Sequence, residues 1–362
     1  GGDPYRKAGP SFFQGESTLF LSLNRGKESL ALNLKSGEGR RIFLEKLVPT
    51  FDAVIENFSP GTMDSLGLGY EKCKEANPNI IYSSISGFGE QGPSREKKGF
   101  DLILQSVTGI MDLTGEKDSG PVKVGIPITD FAAGFVSAIG ILSACYERGN
   151  SQGKATELDT SLYESSISLL SILACDYFAS GEVPHRMGSA SPTFAPYQAF
   201  RCRDSFITIA GAGSEEMWQR FARTIGMPHL TSDTRFRMNS DRVKNQEVLT
   251  ELINKKLQEK DAKEWLEIFD SEGVPCGAVN TLADVLSDEQ TAALKLVSAV
   301  PVHNSDPQNK FRSIRLPLNI NGKPVVSQNS PPLLGEHTDL VLNEVGLQSD
   351  DLQTLRATKV IL

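Results

Sequence analysis

From Phe131 to Tyr146 the chain is apolar or small at nearly every position, and no charge interrupts it until Glu147 and Arg148. An all-round apolar run of that length predicts a helix buried in a large core. It is too short between its polar flanks to span a bilayer. Ala132, Ala133, Gly134, Ser137, Ala138, Gly140 and Ala144 keep side chains small, so neighbouring backbone can come close. Asp130 stands immediately ahead of the run, where a helix places its N-cap.

Before and after this run the pattern alternates between strand and helix periods. Ser29–Asn33 reads as a strand, and Ser36 then caps an amphipathic helix with Ile42, Leu44, Leu47 and Val48 on its apolar side. Ala53–Glu56 is a short apolar strand, a helix follows near Tyr70–Ala76, and Ile80–Ile85 is the next strand. Phe100–Met111 reads as an apolar helix, Ala155–Asp159 as a strand and Ser161–Phe178 as one long helix. Alternation at this spacing predicts an α/β domain: an open, parallel, Rossmann-like sheet with helices on both faces. Turn formers fill Gly181–Pro196 and mark a boundary. Beyond it, a hairpin of Tyr197–Arg201 and Phe206–Ala210 precedes three charged amphipathic helices, Glu215–Ile225, Asn245–Gln258 and Ala262–Glu272. The expected organisation is an α/β domain over 1–180, a linker over 181–195, a smaller α+β domain over 196–295, and a segment over 296–362 returning to the first domain.

Composition narrows the classes. With 362 residues, 39% hydrophobic and 23% charged, the chain can bury a large core. A net charge of −8 argues against nucleic acid as a partner, which calls for a basic footprint. Cys73, Cys145, Cys175, Cys202 and Cys276 are scattered without CxxC spacing, which suggests reduced thiols in an intracellular compartment. His185, His229, His303 and His337 lie far apart without metal-ligand spacing. No signal peptide or membrane span is visible, so no membrane partner is expected.

Chemistry-bearing residues gather at element ends. The GIPIT ahead of Asp130 offers no charge to pair with it, so its carboxylate is poorly hydrated but held ionised by backbone N–H groups and the helix dipole. Such a group is either a plain cap or a carboxylate nucleophile. Asn57 and Phe58 end a parallel strand, where ligands bind in such sheets. Leu32-Asn33-Leu34-Lys35 ends another, and Lys98, Gly99, Phe100 and Asp101 open the next helix. The run from Gly87 to Gly92 matches G-x-G-x-x-G, but Pro93 and a charged run stand where a helix should begin, so nicotinamide binding is not expected.

The segments SLNRGKESLALNLK, IENFSPGTMDSLGLGY, NIIYSSISGFGEQGP, GFDLILQSVTG, VGIPITDFAAG, PYQAF, GVPCGAVN and PPLLGEHT occur in that order over nearly the whole chain. In this the chain resembles the class III CoA-transferases, the formyl-CoA:oxalate and carnitine CoA-transferase family. PYQAF and the later Gly211-Ala212-Gly213 resemble most the succinyl-CoA:glutarate (dicarboxylate) branch. The resemblance implies an acyl-CoA and a small carboxylic acid as substrates, with Asp130 catalytic in P-x-x-D-x-x-x-G. It implies attack on the thioester to give a mixed anhydride and CoA thiolate, then a second anhydride exchange with the incoming acid. Coenzyme A enters as substrate, and no permanently bound cofactor or metal is implied. Contacts to CoA carry over to Leu32, Asn33, Lys35, Asn57, Phe58, Lys98, Gly99, Phe100 and Asp101. The family also implies an interlocked homodimer, in the mitochondrial matrix if eukaryotic and otherwise cytoplasmic.

Two departures stand out. The family's opening strand, helix and strand do not precede GGDPYRKAGP, so an N-terminally incomplete form is expected. Ser65 takes the place of an Arg that some members set near the CoA. The rival within the family, an α-methylacyl-CoA racemase, uses a His–Asp pair, and Phe100 stands where that histidine would be. A catalytically silent CoA-binding paralogue is the rival from another class.

Overall fold

Three parallel strands, Ala53–Glu56 (β1), Ile81–Ser86 (β2) and Thr156–Ser161 (β3), form one sheet in the order β1-β2-β3. Ala53 lies opposite Ile81, and Ile81 opposite Thr156. β2 is central and almost wholly buried, as its run of apolar and small residues requires of a strand covered on both faces. The computed structural model describes residues 2–150, 154–302, 310–327 and 329–362; His303 lies outside them.

The chain forms two compact units. The first comprises Gly1–Asp101, Thr129–Ser166 and Asp284–Leu362, and the second Leu102–Ile128 and Ile167–Ala283. Within the first, helix α1 (Gly37–Ile42) starts on Ser36, whose hydroxyl accepts the Gly39 N–H at 2.9 Å as a capping serine should. Ile42 and Leu47 pack against Leu342, Leu352 and Leu355 from the C-terminal helices Thr338–Glu344 and Ser349–Ala357. Helix α2 (Tyr70–Ala76) joins β1 to β2.

The second unit holds an antiparallel sheet of Tyr197–Arg201 (β4), Phe206–Ala210 (β5) and Cys276–Ala278 (β6). Helices Glu215–Thr224, Gln246–Leu257 and Ala262–Ser271 accompany it, close to the predicted three. Its core carries Trp218, Phe221, Trp265 and Phe269 in successive stacked pairs. The architecture is thus mixed α/β, with a parallel sheet and helices.

Several local expectations are corrected. Ser29–Asn33 is no strand: Leu32 makes a single bridge to Ile361, while the amides of Ser29 and Ala31 are taken by His337 Nδ1 and Thr338 Oγ1. Side-chain acceptors satisfy the backbone there, so no ladder forms. The predicted helix over Phe100–Met111 is two, Asp101–Val107 (α3) and Ile110–Leu113, because Gly109 at φ +91° takes a left-handed turn between them. The predicted Ser161–Phe178 helix likewise divides into Leu162–Leu169 and Ser171–Ser180.

The largest correction concerns the long apolar helix, α4 (Ile128–Asn150). Its 23 residues are more than the apolar run suggested, and Ile128–Gly149 is long and apolar enough to cross a membrane by length and composition. Nor is it buried all round; 22% of that stretch is buried. Some of its small residues face protein: Ala133 is buried, and Ser137 Oγ sits 3.0 Å from Ser83 Oγ of β2. A Cβ on Gly140 would meet Leu158 of β3 at 3.5 Å. The large residues Phe135, Ile139 and Leu142 are 62%, 64% and 68% exposed. Apolarity on both sides therefore has two causes, a sheet on one face and an open apolar ridge on the other.

Candidate active site

The direction of α4 sets where its first turn lies. Ser137 is level with Ser83 in the middle of β2, and Arg148 near the helix end bonds Asp52 Oδ1 at 2.6 Å and the Asn79 carbonyl at 3.3 Å, ahead of the strands. The helix thus runs antiparallel to the sheet. Asp130, two turns before Ser137, is about 10 Å further along at 1.5 Å per residue. The three residues from Ser83 to Ser86 cover about the same distance in a strand. Asp130 is therefore carried to the carboxyl end of β2, the edge at which β1 delivers Asn57 and Phe58.

Asp130 is not the N-cap. It is the third residue of α4, in the first turn. Asp101 supplies the acceptor instead: its Oδ1 takes the Thr129 N–H at 3.1 Å and the Thr129 hydroxyl at 2.9 Å, and Thr129 is fully buried. Asp130 is exposed at the surface, yet surrounding protein mass raises its pKa above the usual aspartate value, and the Asp101 charge adds to this. The poor hydration expected of this carboxylate is matched by the direction of the shift, and the Asp101 charge acts in the same sense. A carboxylate so destabilised is more basic, and better suited to attack an activated acyl carbon.

The loop after β2 explains the glycine motif. A Cβ on Gly87 would stand 2.8 Å from Gly99 Cα, so the two backbones touch, while Gly89 turns at φ +98°. These glycines serve close approach and a turn within the protein. They bring Gly99, Phe100 and Asp101 back to the end of β2.

The other predicted residues divide into two sets. Asn57 donates through Nδ2 to the Ile85 carbonyl, which ties the ends of β1 and β2 together. Phe58 is 52% exposed, its N–H held by Glu56 Oε2 at 2.7 Å, so a flat ring is presented on a fixed loop. Phe100 is 68% exposed, and Lys98 and Lys35 are exposed cations. Leu32 and Asn33 instead serve the chain's own packing: Asn33 N–H donates to the Val360 carbonyl at 2.8 Å, and its Oδ1 accepts the Lys35 N–H at 3.1 Å. A groove of about 640 Å³ in the first unit, between Arg40, Arg41, Leu66 and Lys72, is lined by none of the ten predicted residues.

Sequence reasoning missed Thr129 and Glu56. Glu56 shapes the Phe58 loop, and its carboxyl is raised, by burial first, against the opposing pull of the Phe58 N–H. The signal for Thr129 was a lone hydroxyl in an apolar stretch. That for Glu56 was a charge closing an apolar strand.

Comparison with known proteins identifies the family. Residues 1–338 match the model of CoA-transferase family III. The chain is 34% identical over 345 residues to succinyl-CoA:glutarate CoA-transferase of Mus musculus, covering 95% of this chain and 75% of that one. It is 37% identical over 298 residues to acetyl-CoA:oxalate CoA-transferase of Acetobacter aceti, covering 82% and 75%. The crystal structure of a CaiB/BaiF family protein from Brucella suis superposes with a TM-score of 0.80 at 36% identity, covering 94% of this chain and 88% of that one. With its motifs in family order and an aspartate at the carboxyl end of the parallel sheet, the chain belongs to CoA-transferase family III and is a CoA-transferase.

Proposed function

We propose that the enzyme moves CoA from succinyl-CoA to a dicarboxylic acid, glutarate in the first instance, through acyl intermediates on Asp130. The observation that carries this reading is the Asp130 carboxylate, solvent-accessible, with a raised pKa, on the first turn of a helix at the carboxyl end of the sheet. The dicarboxylate part rests on relatives named for succinyl-CoA and glutarate in Mus musculus and Agrobacterium fabrum.

Atom balance dictates the sequence of steps. An Asp130 oxygen attacks the thioester carbon, the C–S bond breaks, and CoA leaves as thiolate with the donor acyl group on Asp130 as an anhydride. For CoA to change hands, the thiolate then attacks the Asp130 acyl carbon and expels the donor acid, leaving an aspartyl thioester. The acceptor carboxylate attacks that thioester to form a second anhydride and release thiolate again. Attack of the thiolate on the acceptor's acyl carbon yields the new acyl-CoA and restores the Asp130 carboxylate. Each intermediate is an activated acyl group, so no redox change occurs.

In this reading Asn57 and Phe58 form the wall of a Rossmann-like nucleotide site, with Phe58 the flat surface for a base and Lys35 and Lys98 the charges for phosphate. Phe58→Ala is expected to raise the Kd for CoA by at least about tenfold, the scale of a lost base–aromatic stack, measured by calorimetric titration. An unchanged Kd would remove Phe58 from the site.

Phe100, exposed beside Asp101, cannot abstract a proton, and α-carbon racemisation needs a base on each face. A 2-methylacyl-CoA incubated with the enzyme in deuterated water is therefore expected to show no label at the α-carbon. Rapid incorporation, read by mass spectrometry, would favour a racemase.

The open ridge on α4 completes the proposal: it is covered by a second copy of the chain, in an interlocked dimer. A helix fixed along one face to its own sheet is already placed among protein, which favours a protein cover over lipid.

A further inference from the structure

Asp101 came under suspicion as a CoA contact, yet in the fold its carboxylate faces Thr129. Three contacts in the first unit lead from the sheet to Asp130. Gly87, at the end of β2, is in backbone contact with Gly99. Asp101, two residues on, accepts both the N–H and the hydroxyl of Thr129, which is fully buried. Thr129 is the residue before Asp130. Further down the same helix, the Ser83–Ser137 contact ties α4 to β2 a second time.

We propose that Asp101 is a positioning residue for the transfer reaction, holding the first turn of α4 through Thr129 and so fixing where the Asp130 carboxylate stands. The inference rests on Asp130 being the nucleophile. A free helix start frays, because its first N–H groups have no partner within the helix. A nucleophile on such a turn would spend part of its time out of line with the thioester carbon, and a misplacement of about 1 Å costs on the order of a hundredfold in rate. Asp101 removes that freedom with two hydrogen bonds to one residue. Its charge acts on Asp130 as well: among the described residues it is the charge that raises the Asp130 carboxyl, beside burial.

The test compares Asp101→Ala, Asp101→Asn, Thr129→Val and the Asp101→Ala/Thr129→Val pair by steady-state kinetics with succinyl-CoA and glutarate. Asp101→Ala is expected to lower kcat by about tenfold to a hundredfold, with KM for acyl-CoA unchanged within about twofold. Asp101→Asn keeps the acceptor and should restore most of kcat. Because it removes the like charge, it should also move the acid limb of the pH–rate profile to lower pH. Thr129→Val should lose part of kcat and add little to Asp101→Ala, as expected of two residues acting as one unit.

A large rise in KM with kcat intact would make Asp101 a CoA contact and overturn the inference. So would full activity in Asp101→Ala, or an Asp101→Asn as impaired as Asp101→Ala with an unmoved pH profile. If Asp101→Ala does not fold, the Asn and Val variants still decide the matter. Hydroxylamine labelling of the wild-type enzyme separates the two levels. An unlabelled Asp130 overturns the nucleophile itself, whereas a labelled Asp130 with unaffected variants overturns the role of Asp101 alone.

Discussion

Asp130→Asn is expected to give a folded protein that binds CoA and transfers none of it. An amide nitrogen or oxygen cannot form the anhydride that the exchange requires, so turnover should fall by at least about a thousandfold, the scale on which removal of a covalent nucleophile acts. Stability should move little, and the sign can be worked out. Asp130 has its pKa raised in the folded protein, by burial first and then by Asp101. Its anion is therefore less favourable folded than unfolded at neutral pH, and a neutral side chain relieves that cost. Against this stands the lost attraction between a carboxylate and the helix N-terminus, about 0.3–1 kcal/mol. The two oppose, and the melting temperature should stay within a few degrees of wild type. The same raised pKa places the acid limb of the wild-type pH–rate profile above the 3.8 of an ordinary aspartate, since only the anion attacks. Borohydride or hydroxylamine added with acyl-CoA should mark the wild-type enzyme on the peptide containing GIPITDFAAG, and mass spectrometry locates the mark. Near-normal turnover by Asp130→Asn, or a mark on another carboxylate, would end the aspartyl mechanism.

The second large effect concerns assembly. Phe135, Ile139 and Leu142 recur at spacings of four and three along α4, so they share one stripe, and all three are more than 60% exposed. Covering one such side chain is worth about 1.5–3 kcal/mol, and in a two-fold dimer each counts twice. A Phe135→Asp/Leu142→Asp double variant should therefore raise the dimer dissociation constant by well over about a hundredfold. Light scattering coupled to size exclusion would read this as conversion from dimer to monomer at micromolar concentration. A wild-type chain that is already monomeric there, or that floats with lipid vesicles while the variant does not, would refute the dimer and assign the ridge to another cover. Neither residue touches the Ser83–Ser137 contact, so the sheet-facing side of α4 should survive the change.

How much of this was readable beforehand depends on the range of the interaction. Local signals were dependable: Ser36 caps its helix as its sequence context promised, β1 and β2 lie within a residue of the expected strands, and the hairpin of β4 and β5 has its predicted ends. The motifs placed the chain in its family, which the comparisons bear out. Errors arose where a distant residue completes a local pattern. Ser29–Asn33 has strand periodicity, but its backbone partners come from His337, Thr338 and Ile361, some three hundred residues away. The long apolar run was assigned to a buried helix because apolarity on every face has one usual cause, whereas here it has two.

The sequence by itself determined that the stretch from Phe131 to Tyr146 is helical, that it carries many small residues, and that an aspartate stands at its start. Tertiary structure alone decided which aspartate caps the helix. The first N–H groups of a helix accept any oxygen within about 3 Å, whatever its place along the chain. Read locally, Asp130 was the natural cap. In the fold, the contact of Gly87 with Gly99 carries Asp101 to Thr129 from 28 residues upstream, and that distant carboxylate takes the capping role. Asp130 is thereby left out of the cap, beside a like charge that helps to raise its pKa. No periodicity encodes such a pairing, because it exists only once the loop after β2 has closed on the sheet.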